Sequence, residues 1–237
     1  TNPRALGYQA AAMIGIRVLP GQLNTVAEEL CRRRGVLSVV VGTGRHDILI
    51  WTLFTGATEI AGFLDRELGS IAGIMSTETT IIIGWNKVSF AYTSPHGEPR
   101  KGGGKKRIWA DFSTPVSDDS GMTVDETDLK VLRALEADGR KPVSSLAKEI
   151  HTSRANVAAR LQRLLDDGVA TIVCNTSPLA LGYRMFAMIG IKVTPSHLGA
   201  VVGRVCGLPN VYWVMTVAGR HDIVAWTMFA DPSELAA

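Results

Sequence analysis

The chain is poor in cysteine, nearly balanced in charge and without a long apolar run. Its 237 residues hold three cysteines, Cys31, Cys174 and Cys206, too few for a disulfide framework. Cys31 and Cys206 fall on predicted apolar helix faces, and all three read as reduced core residues and suggest a cytoplasmic protein. The formal net charge of +3 is too small to declare a nucleic-acid partner, so any such claim must rest on a local motif. No apolar run approaches the roughly 18 residues of a membrane span, and no basic-then-apolar leader opens the chain as given; no membrane partner is expected. The first residue is Thr1 rather than Met. The opening "TNPRALGY" reads as the middle of a domain, so a fragment whose first domain is missing is expected.

What the chain does have is an internal repeat. Sliding the sequence by 175 positions aligns residues 1–62 with 176–237 without a gap, and 28 of the 62 pairs are identical, far beyond chance. The best-matched blocks are "ALGY", "AMIGI" and "GRHDI". Within the first copy "YQAAAMIGIRV" reads as a strand, and after Pro20 the spacing of Leu23, Val26, Ala27, Leu30 and Cys31 predicts an amphipathic helix. "VLSVVVGTG" and "DILIWTLFT" form a hairpin around Gly44-Arg45-His46. A helix, "ATEIAGFLDREL", and a β-branched run, "MSTETTIIIGW", follow. The order strand, helix, strand, strand, helix, strand predicts an α+β, ferredoxin-like unit.

In the strand after the hairpin both alternating sets are apolar: Leu49, Trp51 and Leu53 on one side, Ile48, Ile50 and Phe54 on the other. Two helices cover only one face of such a sheet. The second face is expected to pack on another sheet, pairing two such domains within the chain or between chains. The second copy stops at "DPSELAA", where its second helix should begin, so its last strand is expected to be absent.

The copies are separated by an insert. Residues 93–121 are rich in Gly, Pro, Ser and charge and read as a mobile linker; its run of Arg100, Lys101, Lys105, Lys106 and Arg107 is read as a solvated tether, and its "IWADF" as a docking segment. From Met122 the pattern becomes helical. Asp125 is placed to cap a helix with Leu129, Leu132 and Leu135 as its stripe and Gly139 as its stop. "PVSSLAKEI" is a short second helix, a turn falls at His151-Thr152, and Ser153 caps a third helix, "RANVAARLQRLLDDG". "VATIVCNT" is expected to supply a strand, completing a winged helix-turn-helix. With Val157, Leu161 and Leu164 inward, Ala155, Asn156, Ala159, Gln162 and Arg163 face outward, with Arg154 and Arg160 on the flanks. Two alanines allow close approach to a groove, Asn156 suits an adenine edge, and the arginines suit guanine or phosphate. Residues 122–168 hold eight basic and eight acidic side chains, so this face and not bulk charge carries the expectation of double-stranded DNA as partner.

These residues resemble the Lrp/AsnC ("feast/famine") transcription regulators. The resemblance rests on "VDETDLKVLRALEADGR", "LAKEI", "SRANVAARLQRLLDDGV", "LALGY" and the repeated "GRHD", and covers nearly everything but the linker. It implies a DNA-binding domain hinged to effector domains that sense amino acids or similar metabolites and assemble as dimers and higher oligomers. It also implies two regulator units fused in tandem with the first helix-turn-helix missing. The expected layout is an effector domain at 1–92, linker at 93–121, helix-turn-helix at 122–175 and a second, incomplete effector domain at 176–237. The chain departs from the family where His151 stands for the turn glycine, and where His46 and His221 replace the aromatic of the Gly-x-aromatic-Asp turn.

The DNA-contact set is then Ser153, Arg154, Ala155, Asn156, Ala159, Arg160 and Arg163. The resemblance places an effector near Gly44, Arg45, His46, Asp47, Thr77 and Thr79, with Gly219, Arg220, His221 and Asp222 in the second copy. Asp47 can take an ammonium, while Arg45, threonine hydroxyls and glycine amides can hold a carboxylate. One His and one Asp per turn fall short of a metal ligand set, and no cofactor is expected. Two alternatives remain: a decarboxylase like the haem-pathway enzymes that resemble this two-domain fold, and a metabolite-sensing scaffold with a degenerate helix-turn-helix.

Overall fold

The computed structural model describes residues 3–89, 124–173 and 176–235. The linker with its basic run, the "IWADF" segment and Cys174 lie outside the described residues.

The first β unit follows the expected order. Strand β1 (Ala10–Val18) leads to α1 (Leu23–Arg32), then β2 (Val36–Val41), β3 (Ile48–Phe54), α2 (Ala57–Gly62), whose course continues as the π-helical turn Phe63–Leu68, and β4 (Ile74–Val88). Alternation in β1 sends Ala12, Ile14 and Ile16 to the helix side, where they pack with Val26 and Leu30 of α1 and with Phe63 and Leu68. Cys31 is exposed, contrary to the core reading: at 100° per residue it falls one step past Leu30, off the buried stripe.

The second unit has β5 (Met185–Ile191), α6 (Leu198–Gly207), β6 (Val211–Ala218) and β7 (Ile223–Phe229). All strands join one antiparallel sheet in the order β2-β3-β1-β4-β6-β7-β5. The bridge is β4, fifteen residues long. Its first part pairs with β1 from Ile74 to Ile82, and its last part pairs with β6 from Ile81 to Val88, across register shifts at Ile82/Gly84 and Trp85/Lys87. Such shifts bend a strand, and the sheet curls until its helix-free faces meet. Ala11, Met13, Trp51 and Ile82 of the first unit pack against Met215, Val217 and Val224 of the second. Sheet-on-sheet packing therefore occurs within the chain, with the addition that β4 makes the two layers one hydrogen-bonded sheet. Lys87, at the end of β4, donates to the carbonyls of Cys206 (2.8 Å) and Leu208 (3.2 Å). A cation there satisfies the open carbonyl end of α6; burial pushes the Lys87 ammonium down and the Cys206 thiol up.

The helical domain comprises α3 (Glu126–Ala137), α4 (Val143–Glu149) and α5 (Arg154–Asp166). Its core is Val131, Leu132, Ala134, Leu146, Val157 and Leu164. Leu129 and Leu135, expected in the stripe, are only half-buried. Gly139 does not take the left-handed stop: α3 ends at Asp138 in extended conformation, whose carboxylate accepts the Arg140 N–H. No strand forms over 169–173 after Gly168, where a wing strand was expected. A strand needs a paired neighbour, and none lies beside this stretch among the described residues. Ala5 and Leu6, from the opening "ALGY", pack on this helical core.

Candidate nucleic-acid interface and effector site

The tip of the helical domain is built by two caps. Asp125 accepts from the backbone of Asp128 at 2.8 Å, and Asp128 returns the bond to the Asp125 N–H at 3.1 Å, a reciprocal capping box on α3. Ser153 caps α5 by accepting from the Asn156 N–H at 3.1 Å. Between α4 and α5 the chain turns through His151, the one non-glycine residue with positive φ (57°) among the described residues. This conformation costs an L-residue roughly 1–2 kcal/mol. The turn nevertheless closes, with Thr152 N–H on the Ala147 carbonyl at 2.9 Å.

Ala155, Ala159, Gln162 and Arg163 are exposed as expected, joined by Arg154 and Ala158. Asn156 is half-buried: its amide donates to Thr152 Oγ1 at 2.9 Å and its carbonyl accepts from Arg160 Nε at 3.1 Å. Arg160 is also engaged, on Asp125 at 2.6 Å and Asp128 at 2.9 Å, and Arg163 pairs with Asp128. Asp128 is fully buried. Burial pushes its carboxyl up, but the Asp125 N–H and the two guanidiniums outweigh that and hold it below the usual carboxylate range. The Asp125 carboxylate, followed by that of Asp128, raises Arg160 in turn. Arg160 thus braces α5 against the start of α3. A shallow cavity of about 310 Å³ between Asp125, Asn156, Ala159, Arg160 and Arg163 opens on this face. The brace was not foreseen because Asp125 and Arg160 are 35 residues apart, beyond the reach of any local pattern.

The two GRHD turns share one internal design. Asp47 N–H donates to the Ile16 carbonyl at 2.9 Å and Asp47 Oδ2 accepts the Val18 N–H at 2.9 Å. In the second copy Asp222 does the same with Ile191 (3.0 Å) and Val193 (2.8 Å). Both carboxylates hold the hairpin to the end of the neighbouring strand. The imidazoles of His46 and His221 occupy the space a Cβ would take at Gly15 and Gly190, which explains why "AMIGI" and "GRHDI" travel together: the glycine seats the histidine.

Around the first turn the chemistry differs from the expectation. Glu78 Oε2 lies 2.7 Å from Arg45 Nε and 3.3 Å from His46 Nε2. The Arg45 hydrogen bond, followed by the charges of Arg45 and His46, holds the Glu78 carboxyl below its ordinary value although desolvation raises it. Thr77 and Thr79 are not brought to this cluster. They pair with Ile16 and Ile14 on the helix side of the sheet, while Glu78 pairs with Gly15 on the other. Thr80 shares the Glu78 face, and the space beside Gly219 of the second turn opens on Thr80 Oγ1 at 3.2 Å. The first turn, β4 and the second turn thus converge. Sequence reasoning missed Glu78 inside "STETT"; the available signal was strand alternation from Gly15, once the register was known.

An AsnC-type helix-turn-helix domain is matched over residues 124–165 and the Lrp/AsnC ligand binding domain over residues 11–89. An HTH-type transcriptional regulator of Pyrococcus abyssi is 33% identical over 115 residues, 48% of this chain and 73% of the relative. The regulator Ptr1 of Methanocaldococcus jannaschii is 26% identical over 113 residues, covering 47% and 76%. Among solved structures, a transcriptional regulator from Neisseria meningitidis in complex with L-Met has 23% identity and a TM-score of 0.45, over 48% of this chain and 76% of that one.

Proposed function

The chain belongs to the Lrp/AsnC family of transcription regulators, and from that premise we propose that it binds specific double-stranded DNA through α5 and senses a small zwitterion, an amino acid, at the cluster of Arg45, His46 and Glu78. The observation that carries the DNA reading is the outward face of α5. Ala155, Ala158 and Ala159 allow close approach to a major groove, and Arg154 and Arg163, exposed on the same helix, suit base edges or phosphates. Ser153 aims the helix N-terminus, whose dipole favours a phosphate. Arg160 is a positioning residue in this reading, so its removal loosens the α3–α5 brace and tests the contact poorly.

The cleaner test selects bound DNA from a random pool and then measures fluorescence anisotropy on the winning site. Ala159→Glu should abolish specific binding while leaving thermal unfolding unchanged. Arg154→Ala should weaken it by about tenfold, in the range of one lost base or phosphate contact. Selection that returns no preferred site would count against sequence-specific reading.

At the effector cluster, Glu78 takes the ammonium role first assigned to Asp47, whose Oδ2 is committed to the Val18 N–H. Arg45 remains the carboxylate partner, and ligand binding would replace the Arg45–Glu78 pair with two pairs to the ligand. Titration calorimetry against the standard amino acids should give heat that Glu78→Gln removes. Absence of heat for all of them would defeat the effector reading without touching the DNA reading. With one effector site on the seam between two β units, occupancy would shift their relative packing and thus the DNA-bound assembly.

A further inference from the structure

Among the described residues the left-handed backbone positions are glycines with one exception, His151 at φ 57°. Glycine takes that conformation freely, whereas a residue with a Cβ is strained in it. Strain of this kind clusters at ligand and partner sites, where the side chain offsets it. The turn itself does not use the imidazole. It is closed by main-chain bonds, Thr152 N–H to the Ala147 carbonyl at 2.9 Å and His151 N–H to the Lys148 carbonyl at 3.3 Å, and His151 is exposed.

His151 lines a shallow cavity of about 330 Å³ between α3 and the end of α4, together with Lys130, Arg133 and Glu149. Glu149 is the one acidic residue of that lining, and Lys141 holds its carboxylate at 2.7 Å. Lys130 reaches Glu126 at 3.1 Å, but that glutamate is 83% exposed and water screens the pair. Arg133 is exposed and stands in no ion pair among the described residues. Two cations and an imidazole thus face one carboxylate that is already neutralised. Ala134 and Ile150, which belong to or pack on the helical core, line the cavity as well, so the charged groups stand on a rigid base.

The patch adjoins the start of α5, since His151 precedes its cap, Ser153, by two residues. A helix whose first turn enters a major groove about 12 Å wide has a sugar-phosphate strand on either side of it. Residues just before such a helix meet one of those strands.

We propose that His151 and Arg133, with Lys130 as a nearby charge, form a contact patch for a backbone phosphate of duplex DNA, beside the groove that α5 enters. This rests on the reading of α5 as the DNA-binding helix. The guanidinium and an imidazole N–H donate to phosphate oxygens. Contacts of this kind read no bases; they fix the register of the protein on the duplex and release counterions.

The test uses the 237-residue protein and fluorescence anisotropy on two duplexes, the site selected from the random pool and an unrelated sequence of equal length, at several salt concentrations. His151→Gly removes the imidazole and supplies the residue this turn conformation prefers. The midpoint of thermal unfolding should therefore hold or rise, while affinity for both duplexes falls by about threefold to tenfold. A purely structural turn residue does not move stability and affinity in opposite directions. Arg133→Ala should weaken both duplexes alike, by about tenfold, and lower the slope of log affinity against log salt by about one; Arg133→Lys should restore most of that slope. A fall in the unfolding midpoint of His151→Gly would overturn the proposal. So would affinity and salt slope left unchanged by both variants, or a loss confined to the selected site, which marks a base contact. Ala159→Glu and Arg154→Ala then separate the two readings: if they still weaken binding, α5 reads DNA without this patch, and if the native chain binds neither duplex, both readings fall.

Discussion

The first β unit and the second carry the same strands and the same turn, yet they bury their helix-side cores differently. Ile14 in β1 is fully buried, under α1, Phe63 and Leu68, with β4 alongside. Ile189, its counterpart in β5, is 36% exposed, because among the described residues the second unit has only α6 over that face and no strand beyond β5. Shared sequence therefore fixes the path of the chain through a unit, while the closing of the first core depends on Phe63, Leu68 and β4, which have no counterparts among the described residues. The helical domain adds to the asymmetry. It packs on Ala5 and Leu6 of the first copy, whereas Leu181, the counterpart of Leu6, packs with Tyr183, Tyr212 and Met228 of its own unit.

The largest effect that can break this comparison is truncation of the paired isoleucines. Ile14→Ala should cost about 2–5 kcal/mol, the range for emptying a packed core site. Ile189→Ala should cost about 1 kcal/mol or less, since much of the side chain already meets water. Urea unfolding of both variants decides the matter, and equal losses would mean that the second unit's core is closed in solution.

Much of this division was legible before any coordinates. The 175-residue shift, the strand and helix order of the first unit, the hairpin at Gly44 (φ 118°) and the caps at Asp125 and Ser153 all follow from local pattern. So does the exposure of Ala155, Ala159, Gln162 and Arg163, because a 3.6-residue period is set within a single helix. What could not be read depends on residues distant in sequence. Glu78 joins Arg45 and His46 only through the pairing of β4 with β1, and Thr77 and Thr79 lost their assigned place for the same reason. Arg160 changed from a presumed groove contact to a brace because of carboxylates 32 and 35 residues away. The bridging role of β4 had no sequence signal beyond its length and Gly84.

A smaller effect probes what the two units share. Gly15→Ala and Gly190→Ala should each displace the histidine ring seated there and cost about 1–3 kcal/mol, as overpacking of a filled site does. The Gly15 variant should lose slightly more, because His46 would also leave Glu78. Thermal unfolding of the two single variants measures this, and a harmless Gly190→Ala would show that the second turn does not seat its histidine as the first does.

The smallest expected effect isolates what only the first turn has. Glu78 meets Arg45 and His46 at a partly open site, so Glu78→Gln should lower stability at pH 7 by no more than about 1 kcal/mol. The Glu78 carboxyl is held below its ordinary value near 4.5 in the fold. The stability it adds is therefore present above that value and lost as pH falls through the lower, folded-state value. Unfolding curves of the native chain and Glu78→Gln should differ at pH 7 and converge once the pH has fallen below the folded-state value of Glu78. Arg220→Ala in the second turn, where no counterpart of Glu78 exists among the described residues, should leave the same pH dependence in place. If it removed that dependence as well, the two turns would share one electrostatic site across the seam.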